Sequence, residues 1–221
     1  MRALFALLLG AATATAICTP AHADTNRDEV WIGGGTRTLP SASANALTSD
    51  NLSGTSLGLA RDLGVAVLPR LAVWAEAGLT TGDASGLMFQ TLSTEINALG
   101  LTGGLRVRYQ LHRLIAASAR LDLGAQRASL AISDHAGNSA SDHGWGAMAQ
   151  VSAALDLFAV ARPPFGIGLR AELGYVMAQA ISLTAHRDAT SDTLMLPMTE
   201  VGLGGLDLSG PTFALSLVGQ F

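Results

Sequence analysis

Between residues 101 and 111 the chain alternates without a break. Leu101, Gly103, Leu105, Val107, Tyr109 and Leu111 hold the odd positions, and Thr102, Gly104, Arg106, Arg108 and Gln110 the even ones. In an extended chain successive side chains point to opposite faces, whereas a helix would set Arg106 and Arg108 about 200° apart. The pattern returns in 115–125, 145–157 and 165–177, each with one apolar face and one face carrying the charges and most glycines. Fainter copies run through 71–79, with Trp74, Glu76 and Gly78 on the polar side, and through 213–221. Segments 30–39 and 52–63 are rich in Gly, Ser and Thr but bounded by turn-type residues, which adds two more and gives eight strands.

Composition decides where such strands can lie. Hydrophobic residues make up 49% and charged residues 14%, about half the ~25% charge of an ordinary soluble domain. Residues 1–23 read as a secretory leader: Arg2, an apolar stretch over 3–17, and the small-x-small end Ala21-His22-Ala23. Removing it takes the net charge from −4 to −5, since Arg2 leaves and no acid does. Cys18 goes with the leader, and Ile17 before it argues against lipidation, so residues 24–221 hold no thiol. Every basic residue is Arg, with no Lys, and acids outnumber them, which argues against nucleic acid as a partner. Past the leader no run of 18 apolar residues is free of charge; the best, 111–132, is interrupted by Arg113, Arg120, Asp122 and Arg127. A closed barrel is the other structure that satisfies every backbone group in lipid. The expectation is therefore an all-β fold: a closed antiparallel eight-stranded transmembrane β-barrel over residues 24–221. Ten strands are the alternative, because 87–99 and 201–208 could each supply more.

The expected joints alternate in length. Residues 64–70, 112–113 and 158–164 are short, whereas 40–51, 82–97, 133–142 and 184–209 are long and polar. Short periplasmic turns and long outer loops are the bacterial outer-membrane pattern, and an even strand count puts both termini in the periplasm. Of the lipid-facing aromatics, Tyr109, Phe165 and Phe221 fall at the expected periplasmic ends, and Trp145, Tyr175 and Phe213 at the outer ends. With these features and the ending Phe213-Ala-Leu-Ser-Leu-Val-Gly-Gln-Phe221, the chain resembles the small outer-membrane β-barrels of Gram-negative bacteria, the OmpA-type or OmpX-like eight-stranded group. The resemblance implies Sec-type export, residence in the outer membrane as a monomer among its lipids and lipopolysaccharide, and recognition of Phe221 by the barrel-assembly machinery.

An eight-stranded barrel is just wide enough for side chains to fill it. Facing inward should be Arg106, Arg108, Arg120 and Arg170 with Glu76, Asp122, Asp156 and Glu172, four of each sign. Unpaired burial is costly, so they are expected to pair across strands and close the lumen. In the loops, His135 and His143, beside Asp134 and Asp142, are the candidates for a divalent metal, although the stronger metal-site spacings are absent. Lipid A deacylases among such barrels carry His-x-Ser; His135-Ala-Gly and His143-Gly-Trp do not match it. No catalytic residue or cofactor is expected. The function expected is structural or surface contact through the outer loops, with a small pore or uptake barrel second and a lipid A-modifying enzyme third.

Overall fold

A computed structural model of the chain describes residues 28–48, 50–68, 70–88, 91–134, 139–162, 165–187 and 200–221. The leader with Cys18, and His135, lie outside the described residues. Ten strands and one short helix follow in order: β1 (Asp28–Arg37), α1 (Ala42–Leu47), β2 (Leu52–Leu68), β3 (Leu71–Met88), β4 (Leu92–His112), β5 (Ile115–Ser133), β6 (Ser139–Arg162), β7 (Phe165–Ala178), β8 (Ile181–Arg187), β9 (Glu200–Leu206) and β10 (Gly210–Gln220).

Eight of these close a ring. Strands β1 to β7 pair in sequence, β7 pairs with β10, and β10 returns to β1, all antiparallel. The last residue completes the seam, with Asp28 and Phe221 exchanging both backbone hydrogen bonds at 2.9 and 3.0 Å. Each ring strand thus has a partner on both sides and none is left as an edge. The two further strands do not widen the barrel to ten. β8 and β9 form a hairpin of their own, joined to the upper part of β6 through Ala140–Arg187 and Ser141–His186.

The apolar face of the alternation lies on the outside. Ile32, Leu57, Leu59, Leu105, Leu121, Leu123, Ile167, Leu169, Leu173, Leu215 and Leu217 are all exposed, as a lipid-facing belt requires. The six interface aromatics are exposed with them. Phe165 and Tyr175 stand ten residues apart on β7, about 33 Å of strand, or roughly 25 Å of height at the usual tilt, which matches an outer-membrane apolar band.

Two expected loops are strands instead. β3 and β4 continue to Met88 and back from Leu92, and β5 and β6 stay paired out to Ser133 and Ser139. Above the belt the alternation reverses its chemistry while keeping its phase. On β4, Ile96 and Thr94 still point inward and are buried, but the outward positions become Glu95 and Asn97. There the outside meets water and the inside meets a second apolar core, so a search for apolar residues on the lipid face stops at the membrane boundary. β2 also runs into the expected turn at 64–70, ending at Leu68, with a bulge between Asp62 and Ala66 where Gly64 takes a φ of 68°.

Candidate functional site

The lumen is filled in layers. At the outer mouth, α1 and the β8–β9 hairpin fold over the opening. Leu39, Ala44, Leu47, Leu52, Ile96, Leu130, Ile181, Leu183, Leu206 and Leu208 form a buried apolar cap. Ser41 starts α1: its Oγ accepts from the Ala44 N–H at 3.2 Å and donates to the Asp207 carbonyl at 2.8 Å, tying the helix to the segment after β9. Asp142, at the outer end of β6, accepts from the Thr184 N–H at 2.6 Å and so fastens β8 to the wall.

Below the cap lies a layer rich in carboxylate. Arg120 reaches Glu172 at 2.8 Å, Asp122 at 3.1 Å and Glu76 at 3.7 Å, and Gln150 donates to Glu172 at 3.3 Å. A layer rich in arginine follows toward the periplasm. Glu29 sits at its centre, wholly buried, with Arg106 and Arg170 each at 2.7 Å, Arg108 at 3.3 Å and the Gln220 amide donating at 2.9 Å. Asp156 takes Arg170 bidentately at 2.7 and 3.0 Å and lies 3.8 Å from Arg108. The two layers touch where Arg106 lies 3.6 Å from Glu76. Aromatic rings pack between the guanidiniums: Arg106 lies over Trp31 and Trp74, Arg170 over Trp31, and Arg108 over Trp74 and Phe158, with centroid distances of 5.0 to 5.9 Å. Such contacts suit Arg, whose planar fork binds carboxylate while its face stacks on a ring. Gly58 makes the space, since a Cβ there would fall 2.1 Å from the Trp31 ring.

All eight residues assigned inward from the sequence are brought into this one network. Among the described residues the count of four against four is corrected to five against five by Glu29 and Arg37, both buried. Glu29 escapes the sequence pattern because the Gly-rich first strand shows its apolar alternation only from Val30 onward. A signal is present all the same, since Glu29 and Trp31 flank Val30 at the alternate positions. Arg37 stands apart, near the cap, donating to Gln126 at 2.8 Å and to the Leu208 carbonyl at 3.1 Å. His143 is exposed on the outward face of β6 opposite Ser129. Among the described residues no three His, Cys, Asp or Glu side chains gather as metal ligands.

No protein-family model and no curated protein sequence matches the chain. Solved structures do match its shape. The chain is similar to a major outer membrane protein from Thermus thermophilus, with a TM-score of 0.53 and 12% identity over 88% of this chain and 99% of that one. It is also similar to Ail, the attachment invasion locus protein of Yersinia pestis, solved in complex with the heparin analogue sucrose octasulfate, with a TM-score of 0.50 and 12% identity over 90% and 100%. The fold is that of the small outer-membrane β-barrels. At such identities the likeness extends to architecture alone.

Proposed function

We propose that this protein is an outer-membrane barrel whose lumen is sealed and whose work is structural support and surface contact through its outer end, without enzymatic activity. The observation that carries the reading is the closure of the interior at successive depths. An apolar cap, a carboxylate-rich layer and an arginine-rich layer backed by Trp74 and Phe158 fill the lumen at three depths among the described residues, which supports a closed interior over a pore. The inward charges balance in sum and, Arg37 apart, lie within ion-pair reach of one another, so they fill the lumen and set no ionic preference. Export through the residues 1–23 leader, residence among outer-membrane lipids and lipopolysaccharide, assembly through Phe221 and a monomeric state belong to the same reading; the exposed aromatics and the absence of an open edge in the ring support them.

The exposed charge at the outer end includes Asp50, Asp83 and Glu95 against Arg127. A rim of that sign suits cationic or cation-bridged surfaces better than a polyanion such as the one bound to Ail. The test is conductance of the refolded full chain in planar bilayers. A sealed barrel gives a flat current at all voltages below membrane breakdown. Reproducible open steps that vanish on heat unfolding would replace this reading with a small pore. Comparing lipid A from cells with and without the protein checks the enzymatic alternative, for which an unchanged acylation pattern is expected.

A further inference from the structure

Among the described residues the layers leave a chamber unfilled. Between the apolar cap and the carboxylate layer lies a partly open cavity of about 100 Å³, lined by Arg37, Gln126, Glu76, Asp122, Arg120 and Thr80 and reaching through the wall of β1–β3 to Leu57 and Leu79. Its two ends carry opposite surplus charge. At the cap end, Arg37 is 8% exposed and no carboxylate pairs with it among the described residues; its Nε and the Gln126 Nε2 are buried donors with nothing to bond. At the inner end Glu76, Asp122 and Glu172 share Arg120, and Glu76 Oε1, Glu76 Oε2 and Asp122 Oδ1 are buried without a hydrogen-bond donor. Glu76 is 7% exposed and Asp122 2%.

We propose that this chamber is a binding site for a small zwitterion, an anionic group such as a carboxylate meeting Arg37 and Gln126 and an ammonium meeting Glu76 and Asp122. Water, or a proton shared by Glu76 and Asp122, could quiet the inner end but would leave Arg37 without a counter-charge, and buried charge without a counter-charge is the costly state. A lone cation would neutralise one end and strand Arg37; a lone anion would do the reverse. Size sets a second limit. Gln126 and Asp122 lie four residues apart on β5, about 13 Å of strand. Allowing about 3 Å for a hydrogen bond at each end leaves at most roughly 7 Å between the ligand's charged groups. A cavity of about 150 Å³ holds a benzene-sized molecule, so one of about 100 Å³ fits an amino acid of a few carbons. The site does not depend on the surface role proposed above, because a ligand can sit beneath a sealed cap whatever the outer end touches.

The experiment titrates the full chain, refolded in detergent micelles, with glycine, β-alanine and 4-aminobutyrate, followed by calorimetry and saturation-transfer NMR. Propionate and propylammonium are the single-charge controls. At least one zwitterion should bind one per barrel, about tenfold or more tighter than either control. Arg37→Met should remove that advantage, Glu76→Gln should weaken the zwitterion and propylammonium alike, and Asp28→Asn on the exterior should change nothing. Failure of every zwitterion to bind up to about 10 mM overturns the proposal in favour of a water-filled chamber. Equal binding of zwitterion and a single-charge control overturns it in favour of a simple ion site. Both results come from the unaltered protein, so they stand even where a variant fails to refold. A conducting barrel that still binds a zwitterion would overturn the sealed-lumen reading and leave this one intact.

Discussion

Glu29→Gln is the most informative perturbation of the lumen. The carboxylate has no solvent exposure and holds Arg106 and Arg170 at 2.7 Å and Arg108 at 3.3 Å. The amide keeps the shape and one acceptor but removes the charge, so the arginine-rich layer goes from three guanidiniums against Glu29 and Asp156 to three against Asp156 alone. Removing one partner of a buried ion pair costs about 3–5 kcal/mol, because the charge left behind stays desolvated. With a urea slope of about 1–3 kcal/mol per molar, that moves the unfolding midpoint down by roughly 1–5 M. Trp31 and Trp74 pack on Arg106 in the same layer, so their fluorescence reports the transition from inside the network. The assay is urea unfolding of the refolded barrel in lipid vesicles, read by that fluorescence and by gel mobility. Glu29→Gln with Arg106→Met should cost less than the two single changes added, by a coupling of about 0.5–3 kcal/mol, since the second change removes one of the stranded cations. A Glu29→Gln midpoint matching the parent, or strict additivity in the pair, would refute the claim that Glu29 neutralises this layer. Asp28→Asn, whose carboxylate is 3.8 Å from Arg61 in the open, should shift stability by less than about 1 kcal/mol.

Arg120→Glu should lower the melting temperature more than Glu172→Leu does, because it places four carboxylates together with Arg106 their nearest cation, whereas Glu172→Leu also relieves part of a three-to-one excess of acid; scanning calorimetry in detergent ranks them. Ser41→Ala removes the cap of α1 and its bond to Asp207, a loss of about 1 kcal/mol, and should show as faster amide exchange at Ala44 and Asn45 with the ring strands unchanged. Deleting Phe221 should reduce the folded fraction in cells far more than refolding into vesicles from urea, if it serves recognition during assembly; equal losses in both would make it a seam residue only, through its bonds to Asp28.

The membrane-crossing part of the fold was legible because lipid outside and charge inside write opposite chemistry onto alternate residues. That contrast assigns Arg106, Arg108, Arg120 and Arg170 to the inner face, and in the structure all but Arg120 are at most 6% exposed while Arg120 lies in the same network. The same rule hid what lies above the belt. From Leu99 outward on β4, and past Ala125 on β5, the buried positions are Ile96, Ala128 and Leu130, while Glu95, Asn97 and Arg127 face water. Alternation persists there with its polarity exchanged, so two long hairpins read as loops. The cap was illegible for a different reason. Leu39, Leu47, Ile181 and Leu208 come from four separate segments, and only the ring brings them over one opening. The role of Arg37 followed the same logic, since its partners Gln126 and Leu208 are 89 and 171 residues away in sequence.

Why such a barrel should be filled with charge follows from register. A side chain's face depends on parity, so slipping a strand by one residue turns its whole inner set outward. Were the interior aliphatic, both faces of β4 and β5 would be greasy and a slip would cost little. With arginine inside, turning Arg106 and Arg120 toward the hydrocarbon would cost up to about 2–4 kcal/mol apiece, and Arg108, beside the interface residue Tyr109, about 0–1 kcal/mol. The pairing of Arg106 directly opposite Arg120 looks unfavourable in isolation, since like charges face each other across β4 and β5. It is tolerable because each carries its own acids, Glu29 for Arg106 and Glu172 and Asp122 for Arg120, supplied largely by other strands. Those acids reach the correct arginines only when β1, β5 and β7 are all in register together. The network therefore couples the strands to one another, and the absence of lysine fits that role, because a single ammonium could not bond Asp156 at two points, reach Glu29 and stack on Trp31 as Arg170 does.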